Sequence, residues 1–227
     1  QGPNVNTDEY EYLPALSADA KTFIFTRRVE QNGRPQEDFY VSYADDTTWT
    51  LAKFLPGVIN TSGNEGAQCI TADGNALFYT GCDPRKTYGS CDLFISLKRD
   101  GAWGEPINLG EDINSESWDS QPSISADAQT LYFSSNRPGG IGGRDIWKSS
   151  YLGAGRWTEP ENLGEKINTP ADEMSPFLHW DGQSLYFASK GHAGMGGFDI
   201  FRSTLLADGS WSCLLYTSPS PRDLSTS

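Results

Sequence analysis

Apolar triplets punctuate the chain at a fixed interval. Leu77-Phe78-Tyr79, Leu131-Tyr132-Phe133 and Leu185-Tyr186-Phe187 each follow a turn-forming stretch and precede a glycine-bearing one. In the third unit, Gln121-Pro122-Ser123-Ile124-Ser125 predicts a short strand and Ala126-Asp127-Ala128-Gln129 a turn. Thr130–Ser135 then reads as an apolar, aromatic strand of the length found in sheet interiors. The glycine-rich run Arg137-Pro138-Gly139-Gly140-Ile141-Gly142-Gly143 leads to a third strand at Asp145-Ile146-Trp147-Lys148-Ser149. A fourth starts near Trp157 and runs toward Leu163-Gly164. Asp92-Leu93-Phe94 and Asp199-Ile200-Phe201 repeat the third strand elsewhere. No apolar period of helical type persists beyond a few residues, so helices are not expected.

The pattern is strictly in phase. Asn6, Asn60, Asn114 and Asn168 are 54 residues apart, as are Asp19, Asp73, Asp127 and Asp181, and Trp49, Trp103, Trp157 and Trp211. Asp38, Asp92, Asp145 and Asp199 follow with steps of 54, 53 and 54. Four landmarks held over three periods define a four-repeat chain. One four-stranded antiparallel sheet, apolar on both faces, cannot stand alone, whereas radial stacking buries those faces against neighbours and protects the edges. The expected fold is therefore all-β: a β-propeller over 1–212, with blades at about 6–59, 60–113, 114–167 and 168–212. Four units need not be a complete ring.

The ordered motifs Ser-Ala-Asp-x-x-x-Leu-Tyr-Phe, Gly-Gly-x-Gly-Gly-x-Asp-Ile, Trp-x-x-Pro-x-Asn-Leu-Gly and Ile-Asn resemble the WD-like propeller repeats related to TolB. The resemblance is to those preceding an OmpA-type peptidoglycan-binding domain in Gram-negative envelope proteins. It covers about residues 2–212 and is best in units three and four; unit one carries Arg27-Arg28-Val29-Glu30-Gln31-Asn32-Gly33 in place of the glycine run. The resemblance implies a fragment of an outer-membrane, peptidoglycan-associated protein of the periplasm. Its partner would be an envelope protein or peptide, with peptidoglycan reached only through an OmpA-type domain outside this chain. Gln1-Gly2-Pro3-Asn4 reads as an internal start, and Gly2–Asn6 echoes Gly164–Asn168 as the tail of a preceding outer strand. After Trp211-Ser212 the pattern is abandoned. Residues 213–227 read as foreign sequence, such as a translated sequencing adapter, expected to be disordered and to add no blade strand.

Composition narrows the function. With 17 Lys+Arg against 30 Asp+Glu the net charge is −13, which excludes an electrostatic grip on a nucleic-acid backbone. Apolar runs are only a few residues long, so no transmembrane helix is expected. Twenty-four glycines and 13 prolines also argue against long helices. Cys82 and Cys91 end a short loop rich in turn residues, so they are expected to form a disulfide, and with it to place the chain in an oxidising compartment. The two histidines, His179 and His192, lack a partner at ligand spacing, and neither metal nor cofactor is expected.

The recurrent residues offer several chemistries. Asp19, Asp73, Asp127 and Asp181 read as turn-holding acceptors, since calcium would need several oxygens converging on one loop. Asp38, Asp92, Asp145 and Asp199, each with Ser42, Ser96, Ser149 or Ser203 four residues on, superficially suggest a hydrolase. Catalysis needs one constellation, not four copies, so these too read as structural. The glycine runs lack the helix that a phosphate loop requires. Glu11, Glu65, Asp119 and Glu173 stand just before the first strand of each blade. If that strand is innermost, they are expected to ring one mouth of the axial channel and attract cations or basic peptides. The alternative gives each of them a bond to the neighbouring blade's backbone. The overall expectation is a non-catalytic binding or scaffold module; the alternative is a propeller glycan hydrolase or lyase using channel carboxylates.

Overall fold

A computed structural model describes residues 2–31, 33–83, 85–212 and 215–216. The chain forms four antiparallel sheets arranged as the blades of a β-propeller. The inner strands are Tyr10–Leu16, Asn64–Ile70, Asp119–Ile124 and Glu173–Leu178. Each pairs with the strand bearing the apolar triplet (Thr22–Gln31, Ala76–Cys82, Thr130–Ser135, Ser184–Ser189). The third strands (Arg34–Asp45, Asp92–Arg99, Asp145–Gly153, Asp199–Thr204) lie beyond it, followed by a short outer edge.

The outer edge departs from the single strand read near Trp157. Arg156–Trp157 and Glu161–Asn162 pair separately with the third strand, and the register slips by one residue between Tyr151↔Trp157 and Trp147↔Asn162. The extra residue falls beside Pro160, which has no N–H to donate. The expectation that nothing after Ser212 joins a blade is also corrected. Leu215–Tyr216 pairs with the third strand of blade four, Phe201↔Tyr216 and Arg202↔Leu215, at the place Glu161–Asn162 takes in blade three. A two-residue edge strand needs only backbone donors and acceptors, which a foreign sequence also has. The rest of 213–227, including Cys213, lies outside the described residues.

The core is distributed along the seams between blades. Ile24, Phe39 and Val41 of blade one pack on Leu77, Tyr79, Phe94 and Trp103 of blade two. Phe78 and Leu93 meet Leu131, Phe133, Trp147 and Trp157 at the next seam, and Tyr132 and Ile146 meet Leu185, Phe187, Phe201 and Trp211 at the third. Trp103, Trp157 and Trp211 are thus seam residues: Trp157 lies edge-on to Phe78, and Trp211 to Tyr132. Among the described residues, no strand of blade four contacts a strand of blade one. The fourth aromatic cluster, Val5, Phe23 and Phe25 with Tyr40 and Trp49 against it, belongs to blade one alone.

Polar clamps fix the connections. Asn114 Oδ1 accepts from the Leu93 amide at 2.8 Å while its Nδ2 donates to the Leu93 carbonyl at 3.0 Å. Asn60 does the same to Phe39, and Asn168 to Ile146. Each asparagine therefore locks the link between blades onto the preceding third strand. Cys82 and Cys91 are joined as a disulfide, with Cα atoms 4.2 Å apart. The bridged loop docks on the next blade, where Ser90 N donates to Ser117 O and Asp119 N to Cys91 O.

Removing one of these clamps strands a buried amide and carbonyl. Asn114 is buried and Asn60 only partly so. Asn114→Ala is expected to destabilise the fold by about 2–4 kcal/mol in urea unfolding, from two lost bonds and two unsatisfied groups. Asn60→Ala should cost measurably less, because water reaches that site.

Candidate functional site

The inner strands share an unusual backbone. Leu13, Ala67, Gln121 and Ser175 all have positive φ, at 50°, 52°, 58° and 53°. They are 54 residues apart, and each falls where the inner strand loses register with its neighbour, as between Ser120 and Ser123. Each is a β-bulge with a non-glycine residue in the left-handed region, a conformation costing of order 1–3 kcal/mol that the surrounding sheet must impose. Pro14, Pro122 and Pro176 follow three of them, where a missing N–H costs no ladder bond. In blade two Gln68 takes that place, and its side chain donates to Leu13 O at 2.7 Å and Ile24 O at 2.9 Å.

The bulges and the strand halves beyond them surround an axial cavity of about 610 Å³, lined by all four blades. Its wall is mostly apolar, with Leu13, Ala15, Ile70, Ile124, Phe177, Leu178 and the three prolines. Leu16, Phe177 and Trp180 are exposed around it. The polar groups are uncharged: Gln68, Gln121 and serines, several of them engaged between blades. Gln121 Oε1 accepts from Ser175 N at 2.8 Å, and Ser123 Oγ from Leu178 N at 3.0 Å. Cys69, one repeat before Ser123, is a free thiol in the same wall. Burial pushes its pKa up to about 12, the backbone of Ile124 opposing the shift, so the thiolate that a nucleophile needs is disfavoured.

The four recurrent carboxylates do not line this cavity. They sit at the start of the inner strands, whereas the cavity is walled by residues 13–18, 67–70, 121–126 and 175–178, with 20, 23, 72 and 180. Each instead folds back onto the residue four positions earlier. Thr7 N and Oγ1 donate to Glu11, Thr61 N and Oγ1 to Glu65, Ser115 N and Oγ to Asp119, and Thr169 N and Oγ1 to Glu173. Arg27 pairs with Glu11 at 2.8 Å and Arg137 with Asp119 at 2.6 Å; Ser189 Oγ donates to Glu173 at 2.5 Å. Glu65, Asp119 and Glu173 are buried and Glu11 partly so, and each is hydrogen-bonded inside its own blade. The backbone bonds they accept come from their own repeat rather than from the neighbouring blade. Glu65, without a cation in bonding contact, is held well above the ordinary range at about 7, chiefly by burial, with the Thr61 bonds opposing and Asp38 nearby adding to the rise.

The other recurrent groups hold turns and hairpins. Asp19, Asp73 and Asp127 each accept from a hydroxyl two residues before (Ser17, Thr71, Ser125) and a backbone N–H two residues after, which lowers their pKa. Asp181 is lowered first by the Gln183 N–H and then by that of Ser184. Asp92 and Asp145 cap the loops before the third strand, accepting from Tyr88 and Gly89 or from Ile141 and Gly142; Asp199 accepts from Met195 and Gly196. Asp38, in the unit lacking the glycine run, is raised by burial, with Gln36 opposing. Ser42, Ser96, Ser149 and Ser203 donate to outer-edge carbonyls of Thr50, Gly104, Thr158 and Ser212, away from any carboxylate base. His179 lies 3.1 Å from Asp181 in a turn, and His192 bonds Ile167 O against Phe187 and Phe201. No group of metal-ligating side chains is found among the described residues.

No family model and no curated protein matches the chain. Solved structures do share its fold. TolB from Acinetobacter baumannii superposes with a TM-score of 0.62 at 14% identity, covering 95% of this chain and 46% of TolB. An α-L-arabinofuranosidase from Lactobacillus brevis gives 0.59 at 14% identity, covering 92% of this chain and 78% of the enzyme. A Fusarium graminearum α-L-arabinofuranosidase, solved with an iminosugar inhibitor, gives 0.56 at 14%, covering 89% and 62%. The chain therefore spans about half the length of TolB. At this identity the likeness establishes a TolB-like propeller fold, shared by enzymes and non-enzymes.

The Glu65 environment has a measurable consequence. A carboxyl raised from 4.5 to about 7 in the fold contributes stability below pH 4.5, and that contribution is lost as pH rises through 7. Wild type should therefore melt lower at pH 8 than at pH 5, and Glu65→Gln, uncharged at both, should show a smaller drop. Equal drops in the two proteins would contradict the assignment.

Proposed function

We propose that this chain is a non-catalytic binding module that takes an extended, apolar peptide segment into the axial cavity. The observation that carries this reading is the chemistry of the wall: about 610 Å³ lined by proline, aliphatic and aromatic side chains with uncharged polar groups. Such a lining recognises apolar surface and offers a few amide and hydroxyl groups to orient a backbone. The partner is an envelope protein of a Gram-negative periplasm. The Cys82–Cys91 disulfide and the TolB-like fold are consistent with that compartment. Attachment to the outer membrane and peptidoglycan would come through an OmpA-type domain elsewhere in a longer parent.

The enzyme reading draws on the arabinofuranosidases that share the fold. Glycoside hydrolysis ordinarily uses two carboxyl groups flanking one bond. The recurrent carboxylates here are bonded into loop turns at the far end of the inner strands, which favours binding over hydrolysis.

Trp180, exposed at the cavity wall, makes binding visible. Titration with apolar, aromatic-bearing peptides should shift its emission with an affinity nearly independent of salt. Phe177→Glu, at an exposed position of the wall, should weaken binding by about tenfold or more, which is about 1.4 kcal/mol. Binding that collapses with added salt, or turnover of aryl arabinofuranosides by the wild type, would replace this reading.

A further inference from the structure

Arg27 and Arg137 fill the same slot from different places in the repeat. Arg137 donates to Ile113 O and to Asp119, both at 2.6 Å. Its guanidinium lies 4.9 Å from the Phe133 ring and 5.4 Å from that of Trp147. In blade one the corresponding walls are Val5, Glu11, Phe25 and Tyr40. Arg27, which stands where blade three has Ser135, donates to Val5 O at 2.9 Å and to Glu11 at 2.8 Å. It lies 5.4 Å and 4.3 Å from the two rings. In blade four an imidazole takes the slot: His192 bonds Ile167 O at 2.8 Å, against Phe187 and Phe201. Each of these blades sets a planar nitrogen group beside a main-chain carbonyl and two aromatic rings, and in two of them a carboxylate bonds it as well.

Blade two builds the same walls from Ile59, Glu65, Tyr79 and Phe94. Its two rings stack at 5.8 Å, as the pairs in blades one and four do at 6.1 Å. Gly81, Asp83 and Pro84 stand in the places of Arg27, Arg137 and His192, so blade two supplies none of the three nitrogen groups. Glu65, Thr61, Tyr79, Gly81 and Phe94 instead line a small cleft that shares no residue with the axial cavity. Among the described residues Thr61 alone bonds Glu65, and Lys86, exposed at the same cleft, makes no ion pair with it.

We infer that this cleft takes the guanidinium of an arginine supplied by another polypeptide. A planar fork of N–H donors suits a carboxylate beside a carbonyl, and its delocalised charge suits the ring faces. A lysine ammonium is a point charge and matches neither as well. The site needs Glu65 ionised, and burial holds that carboxyl at about 7, so binding should weaken as pH falls below 7. The groups facing Glu65 are Tyr79, Asp83 and Lys86 at the cleft, and Asp38 of blade one.

Titration of the full chain at pH 8 with N-acetyl-arginine amide, followed by NMR of the Thr61 and Gly81 amides and the Glu65 carboxyl, tests this. Saturable shifts are expected at these residues, and the Glu65 titration midpoint should fall by about one unit or more at saturation. N-acetyl-lysine amide should bind about tenfold more weakly or worse. The citrulline analogue, planar but uncharged, should not bind. Glu65→Gln, nearly isosteric, should keep the wild-type circular dichroism and lose the shifts. Asp83→Arg supplies a guanidinium from the place of Arg137, so it should lower the Glu65 midpoint by itself and exclude the added ligand. No saturable shift at blade two overturns the inference. So do lysine or citrulline analogues that bind as well as arginine, and a Glu65→Gln variant that binds as the wild type does.

Discussion

Every blade of this propeller has two apolar faces and can cover neither by itself. That constraint organises the molecule. The apolar triplets give one residue to the preceding seam and the next to the following one, as Leu77 and Phe78 do. The third strands divide their side chains in the same way, Phe94 turning back and Leu93 turning forward. A sheet interior that alternates between two partners in this manner needs large side chains on both faces, which is why the strands read as continuous apolar runs rather than as alternating ones.

Because the seams consume the apolar residues, the polar ones are left to fix the geometry of the loops. Asparagines hold the links between blades to the backbone of the third strand, and hydroxyl–carboxylate pairs hold the approach to each inner strand. Acidic residues that look reactive in one dimension are thus spent on local backbone donors. Toward the axis the sheets cannot interdigitate so closely, and the bulged inner strands leave a cavity whose wall is neither charged nor tightly filled.

The repeat and the turn aspartates were legible in the sequence because each is tied to a residue type at constant phase, and the disulfide because two cysteines end one short loop; that the tryptophans sit at seams was not. Nor was the cavity. The left-handed bulge is occupied by Leu13, Ala67, Gln121 and Ser175, four residues with nothing in common, since the sheet rather than the side chain imposes that φ. The available signal was the proline that follows it in three units. For the carboxylates, recurrence alone is the same for a ring around a channel and for a clamp within each loop. The hydroxyl residue four positions earlier (Thr7, Thr61, Ser115, Thr169) was visible and is what separates the two cases. The split outer edge was missed because a one-residue slip leaves no mark on composition.

The bulges also bear on how such a chain can diversify. A left-handed site occupied by leucine, alanine, glutamine and serine is one where identity is not dictated by the backbone, and its neighbours look into the axis from every unit. Each repeat therefore offers one stretch that can be rewritten without touching the apolar clusters of the seams, although Gln68 and Gln121 there also bond a neighbouring blade. Substitutions at 13–14, 67–68, 121–122 and 175–176 alter the lining of the cavity one quadrant at a time while leaving the apolar residues that join the blades in place.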